Sequence, residues 1–276
     1  MMRAGGSRRL AMAAAALLGG IGAAQAAPDC TAPSALTTIE VALSRAADNV
    51  AEGKPLNILA IGSSSTLGIG ASSREASYPS RLEADLKALY PHNDIHVVNR
   101  GVGGEDAPEE LARLGHEIED HPSDLVIWQV GTNAVLRRDD LTADERMIGK
   151  GVRLLQDNHV DVVLMDLQFA PRVVARPGYA EMEQDIADTA REMRVGLFRR
   201  FAIMQAWDGA HQFADGEMIG RDGLHMTDAS YGCLAQALAA ALDRNWQSHR
   251  LLTMPHAPAA TVAGLRTRQK AAGSAP

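Results

Sequence analysis

Short apolar runs alternate with helical patterns along most of this chain. Segments rich in Val, Ile and Leu predict strands at residues 56–62, 95–99, 124–130 and 161–167, with a weaker one at 195–201. Nearly continuous apolar runs are typical of parallel strands that helices cover on both faces. The first run stands out because three serines and a threonine follow its last glycine, Gly62.

Helical periodicity fills the intervals between these strands. Apolar residues spaced three and four apart predict helices over residues 32–52, 78–90, 142–157, 179–193 and 229–246, with one more around 111–118 and a helix and loop over 201–220. Alternating strands and helices predict an α/β fold, a three-layer α/β/α sandwich with a five-stranded parallel sheet and right-handed crossovers. We predict one domain over residues 56–246, preceded by a helical segment over 27–55.

The two ends of the chain differ from this pattern. Residues 1–26 combine a basic start, an Ala- and Leu-rich stretch and a small-residue site at Ala24-Gln25-Ala26, which predicts a signal peptide cleaved after Ala26. An uncleaved N-terminal anchor is the alternative. Residues 247–276 carry basic residues without acids and little periodicity, which predicts a disordered tail. The protein is then periplasmic or secreted, with no stable membrane span after cleavage.

Composition and charge exclude one class of partner. The 276 residues carry a formal charge of −7, and only 4% are aromatic. Removing the predicted signal peptide, with three arginines and no acids, changes −7 to −10. A nucleic-acid-binding protein is normally basic, so no nucleic-acid partner is expected. The oligomeric state is not predicted.

Two cysteines remain in the mature chain, Cys30 and Cys233. In an oxidising compartment they can form a disulfide that joins the mature N-terminus to the last helix. The alternative is two unrelated thiols, with Cys233 buried in its helix.

Residues suited to acyl transfer follow the predicted strands or, for the last pair, precede the last predicted helix. They are Ser64, Gly104, Asn133 and the pair Asp222 and His225. A serine hydroxyl needs a neighbouring base before it attacks a carbonyl, and a carboxylate can orient that base. The oxyanion that then forms needs hydrogen-bond donors, such as a glycine N–H and a side-chain amide. Taken singly, these residues are also typical of helix caps, turns and surface loops.

Four short motifs resemble the conserved blocks of the SGNH (GDSL-type) hydrolases. They are Gly62-Ser63-Ser64-Ser65-Thr66, Gly101-Val102-Gly103-Gly104, Gly131-Thr132-Asn133 and Asp222-Gly223-Leu224-His225, in the family's order, and the resemblance covers roughly residues 56–246. It implies a flavodoxin-like strand order and Ser64 as nucleophile. It further implies His225 as base and Asp222 as its partner, with an oxyanion hole of the Ser64 and Gly104 N–H groups and the Asn133 side chain.

One block departs from the family's pattern. Ser63 stands where these hydrolases usually have an aspartate, so three serines adjoin, and the register relative to Gly62 selects Ser64. The sequence lacks the G-x-S-x-G motif of ordinary α/β-hydrolases, because position 66 is threonine. The histidine spacings and glycine loops indicate no metal site and no cofactor.

These observations predict an exported serine esterase that hydrolyses carboxylic esters through an acyl-enzyme. Export and the small number of aromatic residues favour short-chain, acetyl-type esters of a glycan or lipid as substrate. The alternatives are a non-catalytic glycan-binding protein and an O-acyltransferase with the same triad. Arg137, Arg138 and residues 168–172 follow strand ends, and each either borders the substrate or is a solvated loop residue.

Overall fold

The computed structural model describes residues 30–137 and 140–253. The predicted signal peptide lies outside these residues, as does the part of the predicted tail from residue 254 onward.

A five-stranded parallel sheet forms the centre of the molecule. Its strands are β1 (Leu56–Gly62), β2 (Ile95–Gly101), β3 (Leu125–Gln129), β4 (Asp161–Met165) and β5 (Gly196–Phe198). Their order is β2-β1-β3-β4-β5, with every neighbouring pair parallel. This is the flavodoxin-like order, in which the strand order reverses beside β1 and ligands bind at the carboxyl ends of the strands. The predicted α/β class and sheet are confirmed.

Helices cover both faces of this sheet. They are α1 (Ser44–Ala51), α2 (Ser64–Leu67), α3 (Tyr78–Leu89), α4 (Ala107–Asp120), α5 (Thr132–Arg137), α6 (Leu141–Asp157), α7 (Pro171–Val174), α8 (Tyr179–Met193), α9 (Arg200–Gly209) and α10 (Asp228–Thr253). In the described part of the chain, none of them has the length and apolar character needed to cross a membrane.

The apolar core lies in two layers, one on each side of the sheet. Along β1, Ile58 and Ala60 join the layer formed with α1, α3, α9 and α10, whereas Leu59 and Ile61 join the layer formed with α4, α6 and α8. Successive side chains of a strand point to opposite faces, and because helices cover both faces, all residues from 58 to 62 are buried. A fully buried Leu or Ile contributes roughly 1.5–3 kcal/mol, and burial on both faces therefore fixes the position of β1 and of the serines that follow it.

The N-terminal helix is shorter than predicted. A helix was expected over residues 32–52, but α1 begins at Ser44. The buried Asn245 side chain of α10 binds the preceding backbone: its amide donates to the carbonyls of Ile39 (2.9 Å) and Val41 (2.8 Å), and its oxygen accepts the Leu43 N–H (3.0 Å). Because these groups bond to α10, they do not form the hydrogen bonds of a helix.

The last helix is longer than predicted. A tail was expected from residue 247, but α10 continues to Thr253. Side chains in its last turns bond within the helix, as when Gln247 donates to Asp243 at 2.7 Å and Ser248 to the Arg244 carbonyl at 2.8 Å. His249 lies 3.1 Å from Asp48 of α1, so contact with α1 extends the ordered helix.

Strands β4 and β5 are shorter than predicted. Their expected limits were residues 161–167 and 195–201, but β4 ends at Met165 and β5 at Phe198. The buried Asp166 carbonyl accepts hydrogen bonds from Arg200, and its carboxylate accepts the Phe201 N–H at 2.9 Å. These contacts start α9 where the apolar pattern indicated more strand.

Cys30 and Cys233 form a disulfide, with their Cα atoms 4.8 Å apart. Of the two alternatives left by the sequence, the structure has the paired one. The bond ties the first described residue to α10.

Candidate active site

Ser64 begins α2, directly after the turn that ends β1. The turn requires glycine at position 62, where φ is +154° and a Cβ atom would lie 2.5 Å from Thr66 Oγ1 and 2.9 Å from Gln129 Cβ. Gly68, in the left-handed conformation, ends the helix after one turn. Ser64 is therefore presented at the carboxyl edge of the sheet.

The buried side chain of Gln129, at the end of β3, holds this turn from the interior of the protein. Its Oε1 accepts hydrogen bonds from the N–H and the hydroxyl of Ser63 and from the hydroxyl of Ser65, each at 3.0 Å. Ser63 and Ser65 are both 2% exposed, while Ser64 between them is half-buried. The structure thus separates three adjacent serines, because two face the interior and one faces the site.

The Asp222–His225 loop lies opposite Ser64. Asp222 Oδ1 accepts the N–H groups of Leu224 and His225, each at 3.0 Å, and Oδ2 lies 2.5 Å from His225 Nδ1. His225 Nε2 lies 2.9 Å from Ser64 Oγ. The three residues predicted as a triad are therefore joined in a line of hydrogen bonds.

The charge of Asp222 fixes the direction of these hydrogen bonds. Partial burial raises the pKa of Asp222, but the imidazole and two backbone N–H groups outweigh it and bring the pKa to about 2. An ionised carboxylate only accepts, so Nδ1 of His225 carries the proton. In the neutral imidazole, Nε2 is then an acceptor aimed at the Ser64 hydroxyl.

Asn133 contacts the glycine-rich loop that carries Gly104. The Val102 N–H donates to the Gly62 carbonyl at 2.9 Å, which holds the glycine-rich loop against the β1 turn. Asn133 Nδ2 donates to the Glu105 carbonyl at 2.7 Å, and its second hydrogen remains available, because an amide nitrogen carries two. Within residues 30–137 and 140–253, neither the Ser64 N–H nor the Gly104 N–H has a hydrogen-bond acceptor.

Sequence reasoning missed a buried polar network beneath the site. The Arg200 side chain is 0% exposed. Its guanidinium donates to the Ser65 hydroxyl at 2.8 Å. Nε and Nη2 also donate to the Asp166 carbonyl, at 3.0 and 2.7 Å. Burial lowers the pKa of Arg200, which nearby Asp166 partly offsets. Burial and the neighbouring Asp166 carboxylate raise the pKa of Glu183.

The sequence contains a usable signal for Gln129 but none for Arg200. Gln129 ends a predicted strand beside Gly131-Thr132-Asn133, and a polar residue there is a signal that could have been used. Arg200 fell inside a predicted strand, where an arginine indicates an exposed face. Only the packing of α9 turns it inward.

The other candidates near strand ends have structural partners. Gln168 is buried and donates to the Leu224 carbonyl at 2.7 Å, which supports the His225 loop. Arg172 is exposed, and its N–H donates to the Gly223 carbonyl at 3.0 Å. Arg137 binds the loop that carries Gly104. Arg138 lies outside the described residues.

A cavity of about 600 Å³ adjoins the Asp222 loop. Gly220 and Gly223 form one wall, Phe169 and Phe213 contribute aromatic rings, and Asp208 contributes a carboxylate. Its lining includes neither Ser64 nor His225. Across residues 30–137 and 140–253, no three His, Cys, Asp or Glu side chains are grouped so that they could hold a metal ion.

Solved structures share this fold. A two-domain esterase active on acetylated mannans has a TM-score of 0.64 at 22% identity; the match covers 81% of this chain and only 58% of that esterase. A variant of an acetyl xylan esterase from Geobacillus stearothermophilus gives 0.58 at 21% identity, covering 69% and 95% of the two chains. TesA gives 0.59 at 20% identity, covering 68% and 99%.

Sequence comparison points in the same direction. An arylesterase from Vibrio mimicus is 28% identical over 166 residues, which cover 60% of this chain and 78% of that protein. The chain matches the non-GDSL lipase-like family over residues 29–248. That description agrees with the serine at position 63, and the predicted resemblance to the SGNH/GDSL-type hydrolases is confirmed. By this match the chain belongs to the non-GDSL lipase-like family.

Proposed function

We propose that this chain is an exported serine esterase that hydrolyses short-chain esters, with Ser64 as nucleophile, His225 as general base and Asp222 as the group that orients His225. One observation carries the proposal: the line of hydrogen bonds from Asp222 through His225 to Ser64, with distances of 2.5 and 2.9 Å. The arrangement matches the general requirement for an activated serine, a base within reach that is itself oriented by a third group.

The reaction has two halves. Ser64 Oγ bonds to the ester carbonyl carbon while His225 Nε2 takes its proton, and the bond to the alcohol oxygen then breaks as the same proton passes to that oxygen. Water next attacks the acyl-enzyme, again giving a proton to His225. The Ser64–acyl bond breaks, the proton returns to Ser64, and the carboxylic acid leaves.

The oxyanion of each tetrahedral intermediate is bound by three donors in this proposal. They are the N–H groups of Ser64 and Gly104 and the second amide hydrogen of Asn133. Support comes from the two N–H groups that have no acceptor in the described part of the chain and from the Asn133 amide, which the Glu105 carbonyl holds at 2.7 Å. Donors fixed before the reaction stabilise the developing charge without reorganisation.

The substrate class that we propose is an acetyl-type ester of a glycan or lipid. Two structural neighbours are described as active on acetylated mannans and as an acetyl xylan esterase. The cavity of about 600 Å³ beside the Asp222 loop leaves room for a substrate much larger than its acyl group. Exposed Leu67 at the end of α2 and exposed Val102 on the loop of Gly104 offer apolar contact.

Export is supported by the signal-peptide pattern over residues 1–26 and by the disulfide between Cys30 and Cys233. Disulfides persist mainly in oxidising compartments such as the periplasm. N-terminal sequencing of protein recovered outside the cytoplasm should begin at Ala27. A mature protein that begins at Met1 or Met2 would contradict cleavage.

The test of catalysis compares the wild type with Ser64→Ala on nitrophenyl esters from acetate to decanoate and on an acetylated glycan. The wild type should be fastest on acetate and should bind a fluorophosphonate stoichiometrically, and Ser64→Ala should lose both properties. Ser63→Ala and Ser65→Ala are the matched controls; they keep the Ser64 hydroxyl and should still be labelled.

Three outcomes would contradict parts of this proposal. Turnover by Ser64→Ala removes Ser64 as nucleophile, and a rate that rises toward decanoate removes the short-chain preference. A wild type with neither labelling nor turnover favours a glycan-binding protein. Acyl transfer to an added sugar in preference to water favours an O-acyltransferase.

A further inference from the structure

The loop between β2 and α4 is held by hydrogen bonds and by the ion pair between Glu105 and Arg113 of α4, 2.7 Å apart. Gly103 and Gly104 are exposed, Gly104 has φ of +90°, and a Cβ atom at position 104 would touch nothing within 4 Å. A glycine in this conformation gains nothing from side-chain packing and moves easily. The Gly104 N–H is therefore oriented through the neighbouring residues and through hydrogen bonds to the loop backbone.

Two side chains of α5 bind consecutive carbonyls of this loop. Asn133 donates to the Glu105 carbonyl at 2.7 Å, and Arg137 Nη2 donates to the Gly104 carbonyl. The two residues are four positions apart, so they lie on the same face of α5, one turn from each other. One short helix thus holds two successive peptide groups beside the candidate oxyanion site.

Arg137 is itself anchored at the start of α4. Nη1 lies 2.6 Å from Asp106 Oδ2, and Nη2 lies 3.1 Å from Glu109 Oε2. Asp106 and Glu109 also form the capping box of α4. The Asp106 N–H is the main cause that lowers the pKa of Glu109, and the Arg137 guanidinium lowers it further.

We infer that Arg137 is a positioning residue that fixes the Gly104 N–H as an oxyanion donor. The inference rests on the role proposed above for Gly104. The planar guanidinium can contact the two carboxylates and the Gly104 carbonyl at once, which an ammonium group cannot reproduce in the same geometry. With the carbonyl held, only the φ and ψ angles of Gly104 lie between it and the Gly104 N–H. Arg137 therefore acts on the transition state through the loop.

Two other roles predict different kinetics. The Arg137 side chain is 41% exposed, so a contact with substrate would raise KM. A purely structural role would lower the melting temperature and leave kcat unchanged. A positioning role lowers kcat with little change in KM, because oxyanion contacts strengthen only in the transition state.

The experiment measures kcat, KM and melting temperature for Arg137→Met and Arg137→Lys on nitrophenyl acetate. Loss of an oxyanion donor costs about 100- to 1,000-fold in kcat, so a loosened donor should cost roughly 10- to 100-fold in Arg137→Met with KM within about twofold. Arg137→Lys should recover only a small part of the kcat that Arg137→Met loses. Low millimolar guanidinium should partly restore kcat of Arg137→Ala.

Arg45→Met is the matched control. Arg45 is also half-exposed and lies 2.8 Å from a carboxylate, that of Asp124, at the opposite end of the sheet. It should keep the wild-type kcat, and guanidinium should not stimulate Arg45→Ala. If Arg137→Met fails to fold, Asp106→Asn combined with Glu109→Gln leaves Arg137 present and removes the two carboxylate charges that it contacts, and kcat should still fall severalfold.

An unchanged kcat in the folded Arg137 variants, or a raised KM with kcat retained, overturns this inference. Failure of the proposed function is distinguishable, since it shows in the wild type as absent fluorophosphonate labelling and absent turnover.

Discussion

The two ends of the sheet use similar polar groups in different ways. At the amino end, Asp124 accepts the Asn57 N–H at 2.9 Å and Arg45 Nε at 2.8 Å, and Asp161 accepts the Ala46 N–H at 2.9 Å. At the carboxyl end, the N–H groups of Ser64 and Gly104 have no acceptor in the described part of the chain. At the amino end the backbone N–H groups bond to side chains of the fold, whereas at the carboxyl end two N–H groups can bond to a ligand.

The aspartates at the two ends also differ in charge state. Burial raises the pKa of Asp161 to about 6, although backbone N–H groups oppose the shift. At Asp222 the imidazole and two N–H groups outweigh burial, and its pKa is about 2. A carboxylate that must stabilise an imidazolium has to remain ionised, and the partners of Asp222 achieve this.

The largest expected effect comes from breaking the hydrogen-bonded line at the carboxyl end. His225→Ala should lower kcat by about 10⁴-fold or more, because Ser64 loses its base. Steady-state kinetics on a nitrophenyl ester measures the loss. His249→Ala is the control, since His249 also pairs with an aspartate, Asp48 at 3.1 Å, but has no serine partner among the described residues. A similar loss in both variants would contradict the role of His225.

The same comparison can be extended by a pH profile of kcat/KM. Activity should fall as pH drops, because His225 must be neutral to take the Ser64 proton. Asp222, with a pKa of about 2, stays ionised throughout this fall and does not cause it. Activity that stays constant down to pH 4 would contradict the assignment of the base.

A smaller effect is expected from the buried amide beneath Ser64. Gln129→Leu removes the acceptor of Ser63 and Ser65, so kcat should fall by roughly 10- to 100-fold as the turn loosens. Stability should fall by about 1–3 kcal/mol, because buried donors lose their partner. Urea unfolding and kinetics measure the two effects.

Asn245→Leu is the matched control for Gln129→Leu. It removes a buried amide that binds the backbone of residues 39–43, remote from the serine turn. It should lose stability while keeping kcat. If Gln129→Leu also loses stability but keeps kcat, then Gln129 stabilises the fold and does not position Ser64.

The smallest effect is expected at the amino end. The pKa of Asp161 in the folded protein is about 6, above the ordinary value of 3.8, so the folded state holds the proton more tightly. The contribution of Asp161 to stability should therefore fall as pH rises from about 4 to about 6, by roughly 1–3 kcal/mol. Asp161→Asn should flatten this dependence and leave kcat unchanged. Urea unfolding at several pH values checks it, and an unaltered slope would contradict the assignment.

The sequence predicted what depends on neighbouring residues. Apolar runs located all five strands. The motifs singled out Ser64 after β1 and His225 before α10, and the structure brings these two side chains within 2.9 Å, while their catalytic roles stay predictions. The strand order came from the resemblance and agrees with the structure.

Contacts between distant residues set the features that were missed. Asn245 shortens the N-terminal helix from 202 positions away, and Arg200 reaches Ser65 across 135. Gln129 reaches Ser63 across 66 positions. A local sequence pattern cannot predict such contacts, because each depends on how a helix or strand packs in the folded protein.

The disulfide keeps the two fragments of a proteolytically cut chain together. Cys30 and Cys233 are 203 positions apart, and every residue assigned here to catalysis lies between them. A protease that cuts one exposed loop inside this covalent ring leaves the two fragments joined. They separate on a denaturing gel only after reduction, so a nicked molecule keeps Ser64 and His225 in one covalent unit and has the chance to remain active.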